Sequence, residues 1–304
     1  MRWLAGVAGP QIVEWLAALH WPAIILAVAL AFLYLLAFYV ATRGPASRGI
    51  RPASGSGEMP FLEHLDELRW RLIWGGSAVL AFSLAGFFLV TKFNIIGLLK
   101  VPIEPLVPDG QLLFTSPTEP MTVTLKLSFV VGIILSVPII VHHVWAFMSP
   151  ALMEKEKKVA FPAVFGGFAL FLIGVAMAYF LVLPLGLRFL LGFQTQALNP
   201  IITIGEYLKF ATRLILAFGI IFELPLVSLL LALLGLITAS TLRRFRRHAI
   251  VGVAVLSAIL TPADVGTMLM MMGPLVLLYE VSILLVAIVD RRRLAERSAE
   301  AIAD

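Results

Sequence analysis

The sequence predicts an all-α polytopic membrane protein, on three observations. The chain is 61% hydrophobic and only 13% charged, whereas a soluble domain is about 45–50% apolar and about 25% charged. Apolar runs of roughly 20 residues, enough to cross about 30 Å of hydrocarbon, recur along it. Lysine and arginine concentrate in alternate connections between these runs. Lipid must therefore be the solvent for most of the chain.

Seven apolar segments are candidate helical spans. They are residues 21–41, 72–90, 121–148, 159–185, 208–234, 249–260 and 267–289. The sixth segment forms only about 18 Å of helix at about 1.5 Å per residue. Because Pro274 also interrupts the last segment, we expect the final pair of helices to be short and to lie in locally thinned bilayer.

The first span is set apart by the composition that follows it. Residues 42–58 are rich in glycine, serine, proline and arginine, which predicts a flexible cytoplasmic linker. The first span is either a retained anchor or a cleaved signal sequence; we favour the anchor, because the arginines follow the apolar run instead of preceding it. The expected organisation is an extra transmembrane segment at 1–41, the linker, a membrane domain at 59–293 and a cytoplasmic tail at 294–304.

Basic residues predict the orientation through the positive-inside rule. Sixteen of the 23 lysines and arginines lie in one alternate set of connections, around 43–71, 155–158, 243–247 and 291–297. These connections are expected in the cytoplasm. The C-terminus is then cytoplasmic, and the N-terminus lies outside if the first span is retained.

Several function classes are excluded by what the sequence lacks. It has no cysteine, which removes disulfides and thiolate metal sites. It contains no glycine-rich phosphate loop, no zinc-protease motif and no serine-nucleophile elbow. An intramembrane aspartyl protease would need two aspartates in the membrane, and only Asp264 is near a span. The basic residues follow the membrane topology and form no nucleic-acid-binding face. We therefore expect no enzyme activity, cofactor, metal or nucleic-acid partner.

Two acidic residues lie where they cost free energy. Glu223 is near the middle of its predicted span, where a carboxylate costs roughly 2.5–3.5 kcal/mol on insertion scales. It must be protonated, paired or next to a hydrated cavity, and we favour a functional role over a purely structural one. Pro225 lacks an N–H and predicts a kink beside it. Glu280 lies nearer the end of the last span, so for it the structural and functional interpretations both stay open.

Two further acidic stretches lie at the predicted cytoplasmic surface. Residues 61–72, Phe-Leu-Glu-His-Leu-Asp-Glu-Leu-Arg-Trp-Arg-Leu, have leucines at helical spacing and predict an amphipathic helix that enters the second span. Glu63, Glu67 and Arg71 share another face of it, as in a solvated salt-bridged surface. Acidic residues are nevertheless unexpected beside anionic lipids. Glu154 and Glu156 lie in the second stretch, which on its own is typical of a solvated loop.

These stretches together resemble the TatC family of the twin-arginine protein translocation system. The motifs are residues 61–72, Ser136-Val-Pro-Ile with Val144-Trp-Ala-Phe-Met-Ser-Pro-Ala-Leu and Glu156, Phe222-Glu-Leu-Pro, and Leu260-Thr-Pro-Ala-Asp. They occur in the family's order over about 59–293. The resemblance implies a six-helix cup-shaped core without a cofactor, in an oligomeric complex with single-span TatA- and TatB-like partners. The extra N-terminal helix and His143, where glutamine is common, depart from the family pattern.

The resemblance also implies roles for individual residues. Glu67 and Glu156 match the acids that receive the paired arginines of a signal peptide, and Arg69 and Phe147 fall on neighbouring positions of the pattern. Glu223 matches the family's membrane glutamate, assigned to partner contact and transport. Positions expected to serve transport or partner contact with it are Pro225, Pro102, Glu280 and Asp264.

Two functions from different classes follow. The favoured one is a non-enzymatic receptor that binds Arg-Arg signal peptides of folded cargo and supports their transport, driven by the proton motive force. The alternative is a proton-coupled secondary transporter with Glu223 and Glu280 as proton carriers. A transporter should have polar residues along several helices, whereas this chain has isolated acids. Only the receptor predicts an acidic cytoplasmic surface.

Overall fold

The part of the chain that the structure describes is helical almost throughout, as predicted. A computed structural model describes residues 61–107, 112–148, 160–192, 202–261 and 265–303. Within these ranges extended backbone pairs at one point, a parallel bridge between Leu113 and Thr203. The predicted N-terminal span and linker lie outside the described residues.

Ten α-helices run through the described ranges. In chain order they are α1 Phe61–Lys92, α2 Ile95–Lys100, α3 Glu119–Met148, α4 Ala160–Met177, α5 Leu183–Gly192, α6 Ile204–Ile221, α7 Leu224–Leu233, α8 Ala239–Arg244, α9 Arg246–Leu260 and α10 Val265–Ala303. They belong to two compact units, one formed by the described residues of 61–95 and 124–148 and the other by the described residues of 96–123 and 160–303.

In the first unit, α1 packs against α3 through small residues. A Cβ atom added to Gly132 of α3 would lie 2.4 Å from the Oγ of Ser83 on α1, so no larger residue fits there. Small residues of this kind allow helix backbones to approach closely in a membrane. The predicted entry of residues 61–72 into the second span is confirmed, because α1 continues unbroken from Phe61 to Lys92.

The outer side of α1 is apolar and open. Leu80, Leu84 and Phe88 recur every four residues and are 66%, 72% and 72% exposed. Such a stripe would be unfavourable in water, because moving each of these side chains out of water is favourable by roughly 1.5–3 kcal/mol of free energy. The stripe fits a helix whose outer face contacts lipid.

In the second unit, α4 and α5 are joined by a π-helical turn, Ala178–Val182. The N–H of Leu183 donates to the carbonyl oxygen of Ala178, five residues earlier. The next residue, Pro184, has no N–H with which to continue the α-helical pattern. The turn therefore lets the helix continue to Gly192, beyond the predicted end of the span at 185.

The core of the second unit lies between α4 and α6 and along α10. Phe171 of α4 and Phe218 of α6 are both fully buried. A Cβ on Gly174 would lie 2.7 Å from the carbonyl oxygen of Phe218, so this glycine permits the close packing of the two helices. Further along, α7 and α9 pack against α10, where Leu275, Ile283 and Val286 are fully buried.

Five stretches of the described residues are long and apolar enough to cross a membrane. They are Leu65–Lys92, Glu119–Met148, Phe165–Gly192, Ile204–Leu233 and Val265–Arg291. The expectation of a short helix before the last one is confirmed, because α9 has 15 residues, or about 22 Å at about 1.5 Å per residue.

The expectation of a short last helix is wrong. Pro274 lies inside α10, which runs 39 residues to Ala303 and includes most of the predicted tail. A proline removes only one intrahelical hydrogen bond, and neighbouring helices can compensate for it. The packing of α7 and α9 against α10 supplies such neighbours.

Candidate functional site

Glu67 lies near the start of α1 and binds an arginine of its own helix. The Nε of Arg71 donates a 3.0 Å hydrogen bond to Oε1 of Glu67, and its Nη2 contacts the same oxygen. The two side chains are 24% and 23% exposed. The Glu67–Arg71 part of the predicted face is thus confirmed, and it is about three-quarters buried instead of fully solvated. The side chain of Glu63, the third member of that face, lies outside the described residues.

The other residues expected at this site are placed only in part. Arg69 is exposed on α1, and Phe147 is half-buried near the end of α3, in the same unit. Glu156 lies outside the described residues, as does Asp264. The combination of Glu67 with Glu156 therefore stays a prediction.

Glu223 lies at a break between two helices. Helix α6 ends at Ile221 and α7 begins at Leu224, so the kink predicted beside Pro225 is confirmed as an interruption. Pro225 itself is buried in the first turn of α7. Both carboxylate oxygens of Glu223 are buried, and neither has a hydrogen-bond partner among the described residues. Among the described residues, this acidic group inside a span therefore has no hydrogen-bond partner that would offset its burial.

The break is fixed by the packing of α6 against α4. A Cβ on Gly174 would lie 2.8 Å from the Cβ of Phe222, the residue before Glu223. Phe222 is buried and its ring lies 6.5 Å from that of Phe218. The close packing of Phe222 against α4 therefore holds the backbone next to Glu223 in place.

Pro102 is buried in the turn that follows α2. Two tyrosines from the spans hold the end of α2 beside this turn. The hydroxyl of Tyr179 donates a 2.8 Å hydrogen bond to the carbonyl oxygen of Leu98, and the hydroxyl of Tyr207 donates to that of Leu99. Sequence reasoning missed both tyrosines. The available signal was a hydroxyl inside an apolar run, which needs a partner when it is buried.

Glu280 has a partner from α9. The Nη2 of Arg246 donates a 2.6 Å hydrogen bond to Oε2 of Glu280, and the two side chains are 48% and 43% exposed. Beside this pair, the hydroxyl of Tyr279 donates to the carbonyl oxygen of Leu242. Of the two interpretations left open for Glu280, the structure favours the structural one. Arg246 was not predicted as its partner.

A second group of contacts ties α10 to the ends of α7 and α8. Oδ2 of Asp290 accepts a 2.7 Å hydrogen bond from the N–H of Ala239, the first residue of α8. The guanidinium of Arg293 donates to the carbonyl oxygens of Ala232 and Leu233 at the end of α7. A cation at a helix C-terminus satisfies carbonyls that lack an intrahelical partner.

Glu119 was also missed by sequence reasoning. Its Oε2 accepts a 2.7 Å hydrogen bond from the N–H of Thr115, and its Oε1 accepts one of 2.9 Å from the N–H of Gly205. Gly205 lies in the first turn of α6, where free N–H groups favour a carboxylate. Glu119 therefore joins the segment before α3 to the start of α6.

The described residues hold no group of three or more histidine, aspartate or glutamate side chains arranged to bind a metal ion.

Comparison with known proteins shows similarity to the TatC family. The family model described as Sec-independent protein translocase protein (TatC) matches residues 63–274. The TatC protein of Aquifex aeolicus (strain VF5) is 43% identical over 238 residues, which are 77% of this chain and 98% of the relative. The TatC protein of Helicobacter pylori (strain J99 / ATCC 700824) is 40% identical over 227 residues, 75% of this chain and 88% of the relative.

A solved structure agrees with these sequence relatives. The crystal structure of a twin-arginine translocase receptor, TatC, superimposes with a TM-score of 0.67 at 40% sequence identity. The match covers 75% of this chain and 99% of that one.

Proposed function

The chain belongs to the TatC family of Sec-independent protein translocase proteins, and from this premise we propose that it binds the paired arginines of signal peptides at its cytoplasmic face. Proteins of this family are membrane-embedded transport components and not enzymes. In the proposal, Glu67 and Glu156 each take one guanidinium, while Arg69 and Phe147 flank the site. The membrane is the bacterial plasma membrane, with the C-terminus in the cytoplasm.

One observation supports this proposal above the others. Glu67 is a carboxylate that is about three-quarters buried and already binds a guanidinium, that of Arg71. Guanidinium–carboxylate pairs are among the stronger protein hydrogen bonds, and their planar geometry is one that lysine cannot reproduce. The position of Glu67 therefore suits a ligand that contains arginine.

The transport step is assigned to a different residue. We place Glu223 in the movement of cargo, as a polar contact for the single-span helix of a TatA- or TatB-like partner or as a point that keeps water inside the span. Its buried oxygens without a described partner support this role, because a carboxylate in a membrane span is costly unless something outside the described fold compensates it. Transport driven by the proton motive force belongs to the same proposal.

The other residues expected to serve transport or partner contact are assigned supporting roles. Pro225 sets the helix break beside Glu223, and Pro102 lies in the turn held by Tyr179 and Tyr207. The α9–α10 region, with Asp264 in its connection, is the proposed docking region for the partner helices. Glu280 supports that region through Arg246 and need not touch a partner itself.

The alternative function, a proton-coupled secondary transporter, requires two proton carriers, and Glu280 is not suited to be one of them. A carrier must be free to bind and release protons inside the membrane, whereas Glu280 is half-exposed and paired with Arg246. Glu223 alone does not form a pathway. The receptor therefore fits the described residues better.

Peptide binding to the purified full-length protein in nanodiscs tests the proposal. A labelled signal peptide with Arg-Arg should bind, and the same peptide with Lys-Lys should bind at least tenfold more weakly. Glu67→Gln should remove most of this preference, since a neutral amide cannot form the charged pair. Equal binding of the two peptides by the wild-type protein would refute the proposal.

A further inference from the structure

Arg71 occupies on Glu67 the place that the proposed function gives to a ligand. Its Nε and Nη2 both contact Oε1 of Glu67 from one helical turn away. Both side chains are about three-quarters buried, so the contact is sheltered more than an ordinary surface pair. The proposed ligand, an arginine of a signal peptide, and the internal partner, Arg71, both carry a guanidinium group.

We infer that Arg71 is an internal competitor, which holds Glu67 in the free receptor and must be displaced before an arginine of a signal peptide can bind there. The inference rests on the proposed function. It adds a residue that sets the affinity of the site and that the resemblance did not assign.

The position of Arg71 makes it an effective competitor. It is attached to the same helix as Glu67, so its effective concentration at the carboxylate is high and does not depend on dilution. A pair at i, i+4 needs little ordering of the side chains, because the helix already sets their spacing. Displacement must therefore lower the apparent affinity of every ligand that uses Glu67.

The same contact explains how an acidic residue can remain at this surface in the absence of a ligand. Anionic lipids repel a free carboxylate at the cytoplasmic face. Arg71 supplies the opposite charge in place and keeps the Glu67 side chain in one orientation. When a peptide arginine takes over, Arg71 is released toward the lipid headgroups, where a cation is favourable.

A competitor of this kind predicts an unusual pattern of affinities. The free energy needed to displace Arg71 is the same for any ligand that uses Glu67. Removal of Arg71 should therefore raise the affinity of every such ligand by the same factor. Specificity is a difference between affinities, and that difference should not change. A residue that positions Glu67, by contrast, would weaken binding when it is removed.

The experiment measures peptide affinities with full-length receptor in nanodiscs of neutral lipid. Arg71→Gln should bind both the Arg-Arg and the Lys-Lys peptide about three- to tenfold more tightly, the range of a partly exposed ion pair, with their ratio unchanged. Arg71→Lys should give a smaller gain, because it keeps the charge and loses the planar group. Size-exclusion chromatography verifies that each variant is folded.

Two controls separate competition from a general charge effect. Arg243→Gln removes an exposed arginine from the end of α8, away from α1 in sequence, and should leave both affinities within about twofold. In a Glu67→Gln background, Arg71→Gln should have no effect, because there is no carboxylate left to release. A gain that persists in this background overturns the inference.

Failure of the inference and failure of the proposed function look different. If Glu67→Gln binds both peptides like the wild type, the proposed site is wrong and the inference falls with it. If Glu67→Gln binds weakly while Arg71→Gln binds no better than the wild type, the site stands and the competitor is refuted.

Discussion

Arg246 and Glu280, 34 residues apart in the chain, form a 2.6 Å hydrogen-bonded ion pair that joins the first residue of α9 to α10. Both side chains are about half exposed, so the pair contributes only about 0–1 kcal/mol. Its importance is geometric. It fixes where the short helix begins against the long one.

If Glu280 acts only through this pair, its charge can be exchanged with that of Arg246. We expect Glu280→Arg alone to reduce cargo export, because two guanidinium groups then face each other. The double variant Glu280→Arg with Arg246→Glu should recover most of the export. The measurement is export of an Arg-Arg cargo in cells, with receptor levels followed by immunoblot.

The contrary outcome of the exchange is equally informative. A double variant that reaches the wild-type level in the membrane but does not export cargo would show that the carboxylate of Glu280 makes a contact of its own. That result would return Glu280 to the transport machinery.

Glu67→Lys should abolish recognition while the protein still inserts. The substitution removes a charge-assisted hydrogen bond worth roughly 1.5–3 kcal/mol and adds repulsion, so peptide affinity should fall by about 10- to 100-fold or more. Glu156→Lys should do the same. Glu206→Lys is the matched control, since Glu206 is a well-exposed acid at the start of α6, 77% exposed, with a single 3.9 Å contact to Lys209. Undiminished peptide binding by both Glu67→Lys and Glu156→Lys would place the site elsewhere.

The proposed orientation predicts which residues react with reagents added outside the cell. The protein has no native cysteine, so a single cysteine reports one position. Cysteines at Ser54 and Ser240 should be protected from a membrane-impermeant maleimide in intact cells, and one at Asp109 should react. After the membrane is permeabilised all three should react. Labelling at Ser54 with protection at Asp109 would reverse the topology.

Local patterns in the sequence were sufficient to predict the helical features of the fold. Spacing alone predicted the Glu67–Arg71 face, and Pro225 predicted the break at Glu223, because both depend on residues within one or two turns. The same reasoning overestimated how far Pro274 shortens the last helix. Its missing hydrogen bond is compensated by neighbours that the sequence does not identify.

Contacts between distant segments could not be predicted. The Tyr207 hydroxyl bonds to Leu99, 108 residues away, and Glu119 bonds to Gly205, 86 residues away. Each partner is a backbone group, which every residue possesses, so no residue type marks it. Arg246 likewise was one of four arginines within five positions, and only the three-dimensional structure selects it for Glu280.

The tyrosine contacts to the end of α2 should contribute measurably to stability. Tyr207 is only 3% exposed, and Tyr207→Phe leaves the Leu99 carbonyl without this partner at a cost of about 1–3 kcal/mol. Thermal unfolding in detergent should shift to lower temperature. Tyr279→Phe is the control, because Tyr279 is half-buried and its carbonyl partner can be reached by water. An equal shift for both variants would contradict the assigned role of Tyr207.

Glu223 should be needed for transport and not for recognition. It precedes the end of α7, Leu233, by ten residues, about 15 Å of helix at about 1.5 Å per residue, so it is too deep to reach an arginine pair held at the membrane surface. Glu223→Ala should therefore leave binding of the Arg-Arg peptide nearly intact while export falls sharply. Peptide crosslinking and cargo export, measured in the same membranes, separate the two steps.

A second substitution at this position distinguishes a hydrogen bond from a proton-exchanging group. Glutamine fills nearly the same volume as glutamate and keeps hydrogen-bonding atoms, but it does not titrate. Glu223→Gln should retain much of the export if the buried oxygens serve as a polar contact for a partner helix, and it should fail like alanine if proton exchange is required. Ser228→Ala, which removes a half-buried polar group from the next turns of α7, should leave export unchanged. Full export by Glu223→Ala would remove the residue from the mechanism, because its buried carboxylate would then be a cost to the fold without a use.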